Sequence, residues 1–247
     1  MSHRAMTGGV GAFQPSQGHA ELRRLVRQFA EEEVDPQALA YNREEKFNHS
    51  LFCKLGELGL LGVTVPEAYG GAAFDATAAC IVHEELAAAD PAFCLSYLAH
   101  SLLFVNNLAR NGNHEQKLRF LPDACEGKLI GGMGMSEPGA GTDVLGMRAF
   151  ATKDGSDFVL NGNAHRQAGS TGAHMLRQMI LTDQGDGCPG TKMWITNGTL
   201  DGESTGDAFL VYARQAHVGK GGTDGYSLFL VEKGMDGFSM GQQIKDK

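Results

Sequence analysis

The sequence predicts an α+β protein, with a helical first half followed by a run of strands. Three observations predict it. Apolar residues up to about residue 121 recur at helical spacing. Past Leu129 they come instead in short runs. Glycine, frequent throughout the second half, separates those runs with Asn and Asp. Helices followed by strands indicate an α+β arrangement or two separate domains. A boundary near Gly127 divides the 247 residues into a tail at 1–20, a helical domain at 21–127 and a β domain at 128–247.

Leu22, Leu25, Val26, Phe29 and Ala30 fall on one face of a first helix. Glu31, Glu32 and Glu33 follow, and Pro36 marks its expected exit. Leu51, Leu55 and Leu58 repeat the pattern, after which Pro66 and Gly70-Gly71 make a loop. An Ala-rich third helix runs over 77–89 and closes at Asp90-Pro91. A fourth carries Leu95, Leu98, Leu102, Val105 and Leu108 and stops at Asn111-Gly112. A short fifth covers 114–121. Strands are expected at 129–135, 148–153, 157–160, 192–196, 208–214 and 226–231.

Composition narrows the function. A hydrophobic content of 42% suits a globular chain, and no apolar run approaches the roughly 20 residues of a bilayer span. A formal charge of −8 argues against a nucleic-acid surface, which needs clustered Lys and Arg. Cys53, Cys80, Cys94, Cys125 and Cys188 are scattered with no CxxC pair, which reads as reduced thiols and neither a disulfide framework nor a metal site. The first 20 residues lack Asp and Glu, and Arg4 is their one firmly basic residue. A flexible tail is expected there, with no Arg-rich transit peptide visible.

Two segments carry chemistry. Met133, Gly134, Met135, Ser136, Glu137, Pro138, Gly139, Ala140, Gly141, Thr142 and Asp143 form a strand that runs into a Gly/Pro turn. Glycines let a backbone approach a flat ligand closely, and hydroxyls and amides can bond its polar edge. Read alone, this is also an ordinary glycine-rich loop. The second segment is Lys192, Met193, Trp194, Ile195, Thr196, Asn197 and Gly198, an aromatic beside a hydroxyl at a turn. Trp194 is the single tryptophan, and packing in a core is the simplest role for it.

Standing in this order, the two segments closely resemble the acyl-CoA dehydrogenase family. Residues 135–143 meet its Met-Ser-Glu-Pro-x-Ala-Gly-Ser/Thr-Asp flavin signature in full, and residues 194–196 meet its Trp-Ile-Thr/Ser strand. Further matches are residues 60–66, Tyr69-Gly70-Gly71, Glu84-Glu85-Leu86, Arg110-Asn111-Gly112, Gln116-Lys117 and Leu121-Pro122. Residues 95–101, 110–113, 231–235 and 237–239 look most like the isovaleryl branch, which points to leucine catabolism.

The resemblance implies an all-α N-terminal domain and a β-barrel-like middle domain, with the family's C-terminal helical bundle absent from this sequence. It implies FAD, a short and branched acyl-CoA substrate, a 2-enoyl-CoA product and electron-transferring flavoprotein as electron acceptor. It implies a homotetramer in intact relatives, and a mitochondrial matrix location if the source is eukaryotic or a cytoplasmic one otherwise. Met133, Gly134, Met135, Ser136, Glu137, Pro138, Gly139, Ala140, Gly141 and Thr142 would lie along the flavin's pyrimidine edge. The amides near Met135 and Ser136 would stabilise negative charge there. Trp194 would cover a flavin face, with Ile195 beside it and Thr196 near N5. Thr142 would also approach the acyl-CoA. Thr223 and Asp224 stand where relatives contact CoA with a Ser-Arg pair. The catalytic Glu is expected beyond Lys247, and Glu84, Glu85 and Glu137 are not assigned that role. An incomplete dehydrogenase, a non-catalytic fragment acting as a binding or interfering module, and an acyl-CoA oxidase are the competing functions.

Residues 164–191 read as an insertion at the turn before Lys192, interpretable as an unspliced piece of coding sequence. Lengthening a turn this far costs on the order of 2 kcal/mol, because loop entropy grows by about 0.6 kcal/mol per doubling. His165 and His174 within it lack partners at metal-ligand spacing.

Overall fold

The structure is a computed structural model that describes residues 16–155, 157–161, 192–200, 205–215, 225–235 and 238. Its helices are α1 (Gln17–Phe29), α2 (Asp35–Glu44), α3 (His49–Glu57), α4 (Ala76–Ala89), α5 (Pro91–Leu98), α6 (Asn107–Asn111) and α7 (His114–Cys125). Its strands are β1 (Gly131–Gly134), β2 (Phe150–Asp154), β3 (Asp157–Asn161), β4 (Ala208–Gln215) and β5 (Gly225–Glu232). The chain folds as two compact units. One holds residues up to Leu98 together with Asn113–Gly127, and the other holds Ala99–Gly112 and the residues from Lys128 on.

The first unit is helical, and its helices start where polar side chains satisfy their free N–H groups. Ser16 accepts from the His19 amide, Asn48 from Leu51 and Asp75 from Ala78. Asn113 and Gln116 form a reciprocal capping box on α7. Val26, Phe52, Leu55, Leu61, Val82, Leu86 and Leu121 are fully buried and form the core. Pro36 does not end the helical run. It sits in the first turn of α2, where its missing N–H costs nothing, after a wide π-helical turn over Ala30–Val34. No residue of α2 is buried, so apolar spacing could not reveal this helix.

α1 and α4 are joined by charge as well as by apolar contact. Glu85, on α4, accepts from Arg27 Nε at 2.8 Å and from Arg27 Nη2 at 3.0 Å, and pairs with Arg23 Nη1. Arg23 Nη2 donates to Glu84 at 2.7 Å. Burial would raise the Glu85 pKa, but bonds from Arg27 and Arg23 outweigh it and hold the carboxyl below the usual range.

Residues 91–111 are helical throughout, with a π-helical stretch at Ala99–Asn106 between α5 and α6. That stretch rotates the inward face. The buried positions are Phe93, Cys94, Tyr97, Ala99, His100, Ser101, Phe104, Val105 and Leu108, so the expected stripe is buried at Val105 and Leu108, whereas its Leu95 is 53% exposed. By length and composition this 21-residue segment passes for a membrane span, contrary to the expectation that no run comes close. Half of its apolar window is buried in the protein. Tyr97 donates to the Leu60 carbonyl at 2.9 Å, and the His100 ring accepts from the Gly131 amide at 3.0 Å.

The second unit is built on a mixed five-stranded sheet centred on β4. β1 pairs parallel with the first half of β4, from Gly131↔Ala208 to Gly134↔Val211. β2 pairs parallel with the end of the same edge, at Phe150↔Arg214 and Ala151↔Gln215, and β3 pairs antiparallel with β2. β5 covers the whole other edge of β4. Phe209, Val211 and Ala213 of β4 join Ala149, Ala151, Leu160 and Val231 in the core on one face. Towards the opposite face, a Cβ on Gly131 would meet the Phe104 ring at 2.2 Å. A helical unit, then a mixed sheet, is the α+β order expected.

Candidate functional site

β1 and β2 use consecutive stretches of one β4 edge. Residues 134 and 150 therefore lie opposite Val211 and Arg214, only three residues apart on β4. The fifteen residues between them must leave the sheet and return, and they form the signature loop. Within it Glu137 and Ala140 exchange backbone bonds at 3.0 and 3.1 Å, which closes a tight turn around Pro138 and Gly139. Pro138, Gly139, Gly141, Thr142 and Asp143 are exposed. A Cβ on Gly139 or Gly141 would find no atom within 4 Å, so this part of the loop is open.

The loop's two ends are tied by one carboxylate. Glu137 is buried, and accepts from the Arg148 amide at 2.6 Å and the Ala149 amide at 2.9 Å. Lys192 Nζ donates to Glu137 at 2.8 Å and to the Met135 carbonyl at 3.0 Å, with Met147 Sδ at 3.9 Å. Neither member of this pair is open to water, with side-chain exposures of 0% for Lys192 and 4% for Glu137. Burial pushes the Lys192 ammonium below the ordinary lysine value, and the Glu137 carboxylate pulls it back. Breaking a buried pair of this kind costs about 3–5 kcal/mol, because the survivor is left charged and unsolvated. Tyr226 OH donates to the Leu145 carbonyl at 2.5 Å and holds the loop's far limb.

Residues 192–196 are not a strand, contrary to expectation. The Met193 amide donates to the Ser136 carbonyl at 2.9 Å, so the segment bonds the loop and not the sheet ladder. Trp194 has φ +58° and Asn197 φ +63°. Asn tolerates this left-handed region, but an indole residue there is strained by about 1–3 kcal/mol. The segment lies across the face of β1 on which Gly132 and Gly134 open. The Thr196 carbonyl is 2.7 Å from where a Gly132 Cβ would stand, and Lys192 and Ile195 are 3.5 Å from that of Gly134. Asn197 Nδ2 donates to the Gly131 carbonyl at 3.1 Å, and the Asn197 carbonyl accepts from Gly206. The glycines of β1 thus make room for the chain's own segment.

Trp194 does not pack in a core. Its exposure is 66%. Ile195 turns inward against the sheet core, and Thr196 is half-buried. The structure brings the open turn and the Trp194–Thr196 chain together through Lys192 and Met193. Thr223, Asp224, His165, His174 and the whole of 164–191 lie outside the described residues. Glu84, Glu85 and Glu137 each hold a structural partner: Arg23, the Arg23–Arg27 pair, and Lys192 with two amides. The sequence did not reveal the pairing of Glu137 with Lys192, since they stand 55 positions apart.

Residues 16–128 match the acyl-CoA dehydrogenase N-terminal domain. The mitochondrial isovaleryl-CoA dehydrogenase of Pongo abelii is 36% identical over 231 residues, which cover 93% of this chain and 47% of that protein. The chain belongs to the acyl-CoA dehydrogenase family. Among solved structures, a glutaryl-CoA dehydrogenase from Mycobacterium smegmatis in complex with FADH2 superposes with a TM-score of 0.71. It is 29% identical, over 91% of this chain and 47% of that one. A chain from a structure described as electron transferring flavoprotein of Acidaminococcus fermentans gives 0.73 at 27% identity, over 94% of this chain and 52% of that one. The chain spans about half the length of the relatives it matches.

Proposed function

We propose that this acyl-CoA dehydrogenase family protein binds FAD and serves the α,β-dehydrogenation of a short, branched, isovaleryl-like acyl-CoA to its 2-enoyl-CoA. Electrons pass on to electron-transferring flavoprotein. The observation that carries the reading is Trp194. A large apolar ring held in a strained left-handed conformation, exposed beside an open Gly/Pro turn, stores energy that the fold gains nothing from. A flat aromatic ligand stacked on that ring would cover apolar surface that the fold leaves in water.

The donors fit such a ligand. Residues 133–142 supply amides and the Thr142 hydroxyl, and Thr196, two residues after Trp194, supplies a second hydroxyl. In this assignment the chain's residues bind and orient the flavin and aim backbone N–H groups at its developing negative charge. Trp194 excludes water from one face. Bound FAD supplies the hydride-accepting chemistry. Thr142 faces the acyl-CoA, with Thr223 and Asp224 assigned to its CoA portion. The base that removes the α-proton is none of Glu84, Glu85 and Glu137, whose carboxylates are committed to arginines, amides and Lys192. The assigned place is leucine breakdown, in the mitochondrial matrix if the source is eukaryotic and in the cytoplasm otherwise, and the assigned assembly of the intact protein is a homotetramer.

The same commitment of every candidate carboxylate favours a second reading, in which the chain as given binds without turning over. Purified chain tests both. A yellow protein bleached by isovaleryl-CoA supports the dehydrogenase. A yellow protein that stays yellow supports the binding module, and a colourless one refutes the flavin assignment. Peroxide formed in oxygen points to an acyl-CoA oxidase.

A further inference from the structure

We propose that Lys192 is a positioning residue that sets the register and direction of both flavin-lining segments. The proposal rests on the assignment of those segments to FAD.

Lys192 touches three groups of the signature loop: the Met135 carbonyl, the Glu137 carboxylate and the Met147 sulfur. The bond to Met135 has a directional consequence. A trans peptide is planar, with its carbonyl and its N–H on opposite sides. Holding the Met135 oxygen towards Lys192 therefore aims the Ser136 N–H the other way. The Met193 amide does the same one residue on, by holding the Ser136 carbonyl. The orientation of an amide assigned to the cofactor is thus set by a buried ammonium that need not touch it.

The same side chain anchors the second segment. Lys192 stands two residues before Trp194, and Asn197, bonded to β1 through its side chain, stands three after it. Trp194 and Thr196 lie between two fixed points five residues apart. The buried pair also explains why a lysine is used. Its three protons meet three acceptors, and Glu137 stays bonded to the Arg148 and Ala149 amides.

Trp194, the single tryptophan, gives one indole cross-peak in a ¹H–¹⁵N spectrum of the whole flavin-free chain. Lys192→Met should drop the order parameters of residues 194–196 from about 0.85 to below about 0.6, while β4 and β5 keep theirs. Lys192→Met leaves Glu137 buried without its cation and can unfold the unit. Glu137→Gln/Lys192→Met removes both charges and should show the same local loosening in a folded sheet. A Trp194 segment as ordered as in the wild type, in either variant with the sheet intact, would overturn the proposal. A second arm reads FAD affinity by equilibrium dialysis. The double variant should bind at least about tenfold more weakly than the wild type, and equal affinity would also overturn the proposal. Absence of FAD binding by the wild type refutes the flavin assignment alone, since the order parameters still decide the clasp.

Discussion

Replacing Glu85 by Gln should destabilise the helical unit by about 2–3 kcal/mol. Glu85 is 8% exposed at its side chain and receives three bonds from two guanidinium groups. Breaking a fully buried pair costs about 3–5 kcal/mol. Two features reduce that here. Arg27 is 55% exposed, so water takes it up when its partner goes, and Arg23 keeps Glu84. Gln also retains one acceptor oxygen. The sign with pH follows from the lowered Glu85 pKa. A depressed carboxyl pKa stabilises the fold above the unfolded value, near 4.3, and that stabilisation is lost as pH falls through the folded value. Urea unfolding followed by helical circular dichroism at pH 7 and at pH 3.5 tests this. The deficit of the variant should be smaller at the lower pH, which lies below the unfolded value, where the stabilisation from the lowered pKa has begun to go. A deficit below about 0.5 kcal/mol at pH 7, the range of ordinary surface substitutions, would refute the reasoning.

Other perturbations follow from the same contacts. Burial pushes the Cys94 thiol up to about 11 and that of Cys125 up to about 12, so iodoacetamide at pH 8 should label exposed Cys80 and leave these two unlabelled until urea is added. Gly131→Ala drives a methyl into the Phe104 ring and should cost about 1–3 kcal/mol in a urea melt, part of which Phe104→Leu should restore. Burial lowers the His83 pKa below 6.5, against the bond to the Ala79 carbonyl, so its imidazole signal should titrate below that value. The stability it contributes should be present above pH 6.5 and lost as pH falls through the folded value.

The parts of this fold that were legible in the sequence are those where local pattern and tertiary contact agree. β4 reads as a strand because its apolar residues face both sides of a central position, and it forms the middle of the sheet. α4 ends at Ala89, before Asp90-Pro91, as its sequence reads. Where a tertiary contact overrides the pattern, the sequence is mute. Met193, Trp194, Ile195 and Thr196 have strand composition. Yet Trp194 turns left-handed, and the segment bonds the signature loop. The π-helical stretch at Ala99–Asn106 changes the buried face along an apparently regular stripe, which is exposed at Leu95 before it and buried at Val105 and Leu108, and nothing local marks the widened turn. The open turn of the candidate site was legible from its glycines. The buried Lys192–Glu137 pair that holds it was not, because spacing along the chain says nothing of a contact made through the fold.

The central claim is that Trp194 and the signature loop face a flavin. Titrating the flavin-free chain with FAD while following Trp194 fluorescence tests it most directly, since no other tryptophan contributes. The account predicts saturable quenching at one FAD per chain, weakened by Thr196→Ala and by Thr142→Ala. Emission that stays constant while FAD binds, or no binding at all, would contradict it.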